Sequence, residues 1–135
     1  MYPELMNVML KTAKLTAPTY KIRIQNVFSV PGSLEIPLLL DSILKNNVLK
    51  KRYSGMIVFG LIRQGQTKHG EVLGHQITDK ILSIQLKYMM PMAVSIIGPC
   101  STLKHATKKA VTTAKKAIVT ISKMINELEK IKKMK

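Results

Sequence analysis

The sequence predicts an α/β protein, a three-layer α/β/α sandwich on a short parallel sheet. Two runs, Met56 to Ile62 and Met92 to Ile97, are short and almost continuously aliphatic, as strands covered on both faces are. Longer stretches around them repeat apolar residues every three or four positions, the spacing of amphipathic helices. The two kinds alternate along the chain, which calls for right-handed crossovers and mostly parallel strands.

The elements follow in order. Pro3 and Glu4 open a helix carrying Leu5, Met6, Val8, Met9 and Leu10, since proline and an acid both suit a first turn. The pattern fades by Pro18. Tyr20, Ile22 and Ile24 then alternate with Lys21, Arg23 and Gln25, a strand periodicity that runs to Val30. Pro31-Gly32 breaks it. Leu38, Leu39, Leu40, Ile43 and Leu44 have helical length and stop at Asn46-Asn47. After the Met56 strand, Val72, Leu73, Ile77, Ile81 and Ile84 form one helical stripe between Thr67 and Leu86. Pro91 precedes the Met92 strand, and Leu103 to Leu128 form a long helix rich in Ala. The first element is a helix and only three strands are visible. That is a narrow sheet, so the core needs either a further strand or a partner subunit. The length suits one domain, residues 1–135.

Composition narrows the function. Hydrophobic residues make up 46% of the chain, a globular content. No apolar run approaches the ~20 residues that span a bilayer, and no basic start leads into a hydrophobic signal stretch. Cys100 is the only cysteine, which excludes an internal disulfide and suits a cytoplasmic location. The net charge of +15 attracts anions. Nucleic acid is the weaker partner for it: Trp is absent, and the four Tyr and two Phe do not interleave with basic residues. Lys on solvated helix faces accounts for the charge better. His75 and His105 read as surface residues. No base is placed beside Cys100 to make it a nucleophile.

In parallel sheets ligands bind at the carboxyl ends of strands. Gly65-Gln66-Thr67-Lys68-His69 joins a strand to a helix there. Free amides at the helix start favour an anion, and His69 would sit in the first turn, able to move protons near neutral pH. An ordinary Thr-capped helix with a surface His explains the same spacing. Val30-Pro31-Gly32-Ser33-Leu34-Glu35-Ile36-Pro37 is a compact turn with one acid; a binding role and simple capping of the next helix suit it equally.

Together the two segments resemble the 6,7-dimethyl-8-ribityllumazine synthase family. Its members carry a Pro-Gly-(Ala/Ser)-x-Glu-(Ile/Leu)-Pro turn and a Gly-x-x-Ile-(Arg/Lys)-Gly-x-Thr-x-His loop. Lys51-Arg52-Tyr53 and Pro91 are similar too, and the resemblance covers roughly residues 5 to 128. It implies a flavodoxin-like strand order and a transferase of riboflavin biosynthesis. The family condenses 5-amino-6-ribitylaminouracil with 3,4-dihydroxy-2-butanone 4-phosphate, without metal or organic cofactor. It also implies a homo-oligomer, a pentamer or an icosahedral shell of pentamers, with sites shared between neighbours.

By that resemblance His69 transfers protons, and Gly65, Gln66 and Thr67 bind phosphate. Ser33, Leu34 and Glu35 hold the ribitylaminouracil, with Glu35 on the ribityl hydroxyls. Lys109, ahead of Ala110, stands where the family has a phosphate-binding Arg, with Lys108 beside it. Lys keeps the charge and loses the bidentate fork. The chain departs from the family in three places. The family's first strand, and the aromatic after it that stacks on the uracil ring, have no counterpart. Arg63 and Gln64 are out of step with the Ile-(Arg/Lys) pair. Val94-Ser95-Ile96-Ile97-Gly98-Pro99 replaces Phe-Gly-x-x-Thr. An alternative function follows from these departures, a degenerate or truncated homologue serving as a non-catalytic assembly subunit.

Overall fold

The computed structural model describes residues 3–61, 69–97 and 103–134. Helix α1 (Pro3–Thr16) has Glu4 in its first turn and Lys14 in its last, each matching the helix dipole. A 3₁₀ turn at Ala17–Tyr20 follows, ended by Lys21 in the left-handed conformation at φ 58°. Helix α2 (Ile36–Lys45) and the short α3 (Asn47–Arg52) are separated by Asn46. Strand β1 (Met56–Leu61), helix α4 (His69–Tyr88), strand β2 (Met92–Ile97) and helix α5 (Leu103–Lys133) complete the order.

The sheet is parallel, as expected, and β1 pairs with β2 in register from Met56 opposite Met92 to Leu61 opposite Ile97. Alternate residues of β1 face opposite layers. Val58 belongs to a core with Ile36, Leu40 and Leu44 of α2 and Ile77 and Ile81 of α4. Ile57 and Phe59 pack the other way, against Ala13, Ala17 and Ile118. The result is the α/β/α sandwich, with α2 and α4 on one face of the sheet and α1 and α5 on the other.

The alanines of α5 set its distance from α1. Ala106, Ala110 and Ala114 are buried against Leu5 and Met9, and Ala13 and Ala17 meet Ile118 further along. Contacts that advance together along both helices mean that the two run in the same direction. Residues as small as Ala let the helix axes come close, and Ala110 and Ala114 have no exposed surface left. Gly55, ahead of β1, admits α5 in the same way: a Cβ there would stand 2.8 Å from Ile121 Cγ1.

The strand expected over Tyr20 to Val30 does not form, and the sheet among the described residues has two strands. Its alternation is nevertheless expressed. Ile22 and Ile24 turn inward against the cluster of Ala13, Ala17 and Ile118, while Lys21, Arg23 and Gln25 are exposed. A strand needs a partner for its backbone groups, and β1 uses only the edge that faces β2. Side chains hold the segment instead: Gln25 Nε2 donates to the Arg52 carbonyl at 2.8 Å, and Tyr53 Oη donates to Asn26 Oδ1.

Candidate functional site

The carboxyl end of the sheet lies beside one of the segments that the sequence singled out, the turn of Ser33 to Glu35. Leu61 ends β1, and His69 begins α4 on the far side of the connection. Gly65, Gln66 and Thr67 lie outside the described residues. Ser33, Leu34 and Glu35 form a 3₁₀ turn that runs straight into α2. Its amide–carbonyl closure runs from Glu35 N to Gly32 O at 3.3 Å. Pro37 occupies the first turn of α2, where its missing N–H is no loss.

One packing contact fixes this turn relative to β1. Ile36 is the first residue of α2, and its Cδ1 lies 3.8 Å from where a Cβ of Gly60 would stand. Gly60 is the penultimate residue of β1. The turn therefore stands at the carboxyl end of β1, and α2 and α4 pack in one layer on this face of the sheet. Within the turn, Leu34 is exposed (66%) and Glu35 is also at the surface. The Glu35 carboxylate folds back over Gly32, with Oε2 3.1 Å from where a Cβ would be. Gly32 is in ordinary extended backbone, so what it supplies is room for that carboxylate. The sequence marks Gly32 as a strand breaker and as part of the turn motif, and its place three residues before the acid is what gives the carboxylate that room.

Helix α5 also starts at this end, since Ala106 in its first turns packs against Ile97 at the end of β2. Lys109 lies about 9 Å of helix rise beyond Leu103. Lys108 and Lys109 are both exposed, between the buried Ala106 and Ala110. The other lysines of α5 described as exposed, Lys104, Lys115, Lys116 and Lys123 among them, share that solvated side, as the composition led us to expect. The structure thus brings Ser33 to Glu35 and the start of α5 to the carboxyl edge of the sheet; His69 is the first residue of the helix that follows β1. The Lys109 side chain is left in solvent. Ser95, in the altered stretch of β2, is buried mid-strand (5%).

Comparison with known proteins bears on this arrangement. The family model described as 6,7-dimethyl-8-ribityllumazine synthase matches residues 1–129. The chain belongs to the lumazine synthase family. Proteins of that name from Staphylothermus marinus and Pyrobaculum arsenaticum are similar to it, at 31% identity over 128 residues and 30% over 132. The alignments cover 95% and 98% of this chain and 83% and 85% of those proteins. The lumazine synthase of Picrophilus torridus is 28% identical over 122 residues, 90% of this chain and 86% of that protein. Lumazine synthases are transferases of riboflavin biosynthesis. Among the described residues no helix is long and apolar enough to cross a membrane.

A second polar cluster, outside this edge, joins α2 to α4. Asp41 Oδ1 accepts from Tyr88 Oη at 2.8 Å, and Asp41 Oδ2 is 2.9 Å from Lys45 Nζ. The Lys45 ammonium, then the Tyr88 hydroxyl, hold the Asp41 carboxyl below its ordinary pKa, and Asp41 in turn raises that of Lys45. Lys87 and Lys50 lie 5.1 and 5.6 Å from the Tyr88 ring centre. This cluster is a clamp between two helices.

Proposed function

We propose that the chain forms 6,7-dimethyl-8-ribityllumazine from 5-amino-6-ribitylaminouracil and 3,4-dihydroxy-2-butanone 4-phosphate, at the carboxyl edge of the sheet. The observation that supports this reading most is the packing of Ile36 over Gly60, which sets the turn of Ser33 to Glu35 beside the strand that leads to His69. A two-substrate condensation gains from holding both reactants at one edge, because orientation replaces a bimolecular encounter.

In this reading the Ser33 to Glu35 turn holds the ribitylaminouracil. Glu35 accepts hydrogen bonds from ribityl hydroxyls, and the exposed Leu34 offers an apolar surface to the ring. Gly65, Gln66 and Thr67 receive the phosphate, aided by Lys109 as a point charge. His69 moves protons as the amine adds to the ketone, water and phosphate leave, and the second ring closes. The positive charge of the chain draws the anionic substrate in. The single domain works in the cytoplasm as a homo-oligomer, a pentamer or a shell of pentamers.

The test is direct. The folded chain, given both substrates, yields the lumazine above the uncatalysed rate, with one phosphate released per product. A folded chain that forms no product overturns the enzyme reading and leaves that of an assembly subunit.

A further inference from the structure

Helix α5 has two contrasting faces. Ala106, Ala110, Ala114 and Ala117 are buried against α1 and the sheet. Lys104, Lys108, Lys109, Lys115, Lys116 and Lys123 are exposed on the other side. Seven residues make almost two turns, so Lys109, Lys116 and Lys123 stand in a nearly straight row at steps of about 10.5 Å. Lys108 and Lys115 repeat that step beside it. From Lys104 to Lys123 the face runs about 29 Å.

Composition favours solvated lysines over a nucleic-acid partner, but it does not show how the charge is arranged. Solvated helix faces usually mix the two signs, and like charges four apart, as at Lys104 and Lys108, weaken a helix. The chain neutralises lysines elsewhere: Lys45 by Asp41 and, later on α5 itself, Lys130 by Glu127 and Lys132 by Glu129. Between Leu103 and Asn126, α5 has no Asp or Glu. Among the described residues none of the lysines on this face forms an ion pair. A straight face of open positive charge fits a rod of regularly repeated negative charge. Duplex nucleic acid carries one negative charge per about 1.7 Å of its axis, about 17 along this length. Thr112 and Thr120, exposed between the lysines, are polar, so the face offers little apolar surface to a membrane. The helix has no aromatic on which the bases of a single strand could stack. A duplex needs none, because its phosphates alone position a protein.

We propose that the lysine face of α5 binds the phosphate backbone of duplex nucleic acid without reading its sequence. The inference rests on the separation of charge along one helix. It stands or falls independently of the condensation proposed above.

The probe is a DNA duplex of about 20 base pairs and arbitrary sequence, titrated with the full chain by fluorescence anisotropy between about 50 and 200 mM KCl. The logarithm of the association constant should fall against that of the salt concentration with a slope of about −5 per bound chain, the value for a full set of six contacts. Lys115→Gln, Lys116→Gln and Lys123→Gln together, none of them assigned to the condensation, should make the slope shallower by about three. The same loss of charge at the exposed Lys51, Lys80 and Lys87, which lie off α5, should leave it unchanged. If the triple variant on α5 does not fold, Lys116→Gln alone should still take about one from the slope. A duplex that does not bind at physiological salt overturns the proposal. So does an equal drop in both triple variants, because overall charge then suffices, or an unchanged slope in the variants of α5. Tighter binding of the single strand, or of phosphatidylserine vesicles, overturns the duplex as the partner.

Discussion

Ile36 lies over Gly60, close enough that a Cβ on the glycine would meet its Cδ1 at 3.8 Å and Ile96 Cγ1 at 3.2 Å. This contact joins the turn before α2 to the last residues of β1. It makes a strand glycine part of the placement of Ser33, Leu34 and Glu35.

Gly60→Val is therefore expected to act twice. The added methyls press on Ile96 and Ile36 and cost about 1–3 kcal/mol of stability, as overpacking does. Urea unfolding reads this as a lower midpoint with an unchanged slope. The KM for ribitylaminouracil rises as well, because the turn moves with α2.

Glu35→Gln keeps the shape of the side chain and removes its charge. Hydrogen bonds to charged groups contribute about 1.5–3 kcal/mol, so the KM for ribitylaminouracil should rise at least about tenfold. The KM for the butanone phosphate should not change. Steady-state kinetics with each substrate varied in turn checks this, and Gly32→Ala, which crowds the Glu35 carboxylate, should show a weaker form of the same pattern.

Lys109→Ala should give the mirror image, a higher KM for the phosphorylated substrate alone. Lys109→Arg should match or improve on the native residue, because a guanidinium can grip phosphate with two donors. An unchanged KM for the phosphate substrate in Lys109→Ala removes the residue from the site.

Asp41 gives a pH signature to stability. Its carboxyl titrates below the ordinary 3.8 because Lys45 and Tyr88 favour the charged form. A lowered folded-state pKa contributes stability above the unfolded value, and that contribution is lost as pH falls through the folded one. Asp41→Asn should be less stable than the native chain by a constant amount above about pH 5. The two should converge as pH falls below about 4. Thermal unfolding across that range measures the difference.

What was legible in the sequence followed from periodicity. Met92 to Ile97 is a strand over the residues expected, and the Ala stripe of α5 packs closely, as its small side chains imply. The stretch from Tyr20 to Val30 shows where periodicity stops. Alternation places Ile22 and Ile24 inward correctly, but a strand is a relation between two backbones, and β1 offers this one no ladder. Asn46-Asn47 marks a helix stop, yet Asn46 is also a start: its side chain accepts from the amides of Val48 and Leu49 and caps α3. The same residue types serve both ends, so α3 was missed. The bond between Asp41 and Tyr88 spans 47 positions, and no local pattern encodes it. For the site, the two motifs were visible separately and through their resemblance to a family. Their meeting at one strand end depends on Ile36 and Gly60, which spacing alone does not connect.

The central claim is that lumazine forms at the sheet edge where α4 begins, with His69 moving the protons. The rate of lumazine formation at saturating levels of both substrates, for the native chain beside His69→Gln, tests it most directly. The native chain should exceed the uncatalysed rate, and the variant should be slower by about 10²–10⁴-fold, the usual contribution of a positioned acid–base group. A variant as fast as the native chain, or a native chain no faster than the uncatalysed reaction, contradicts it.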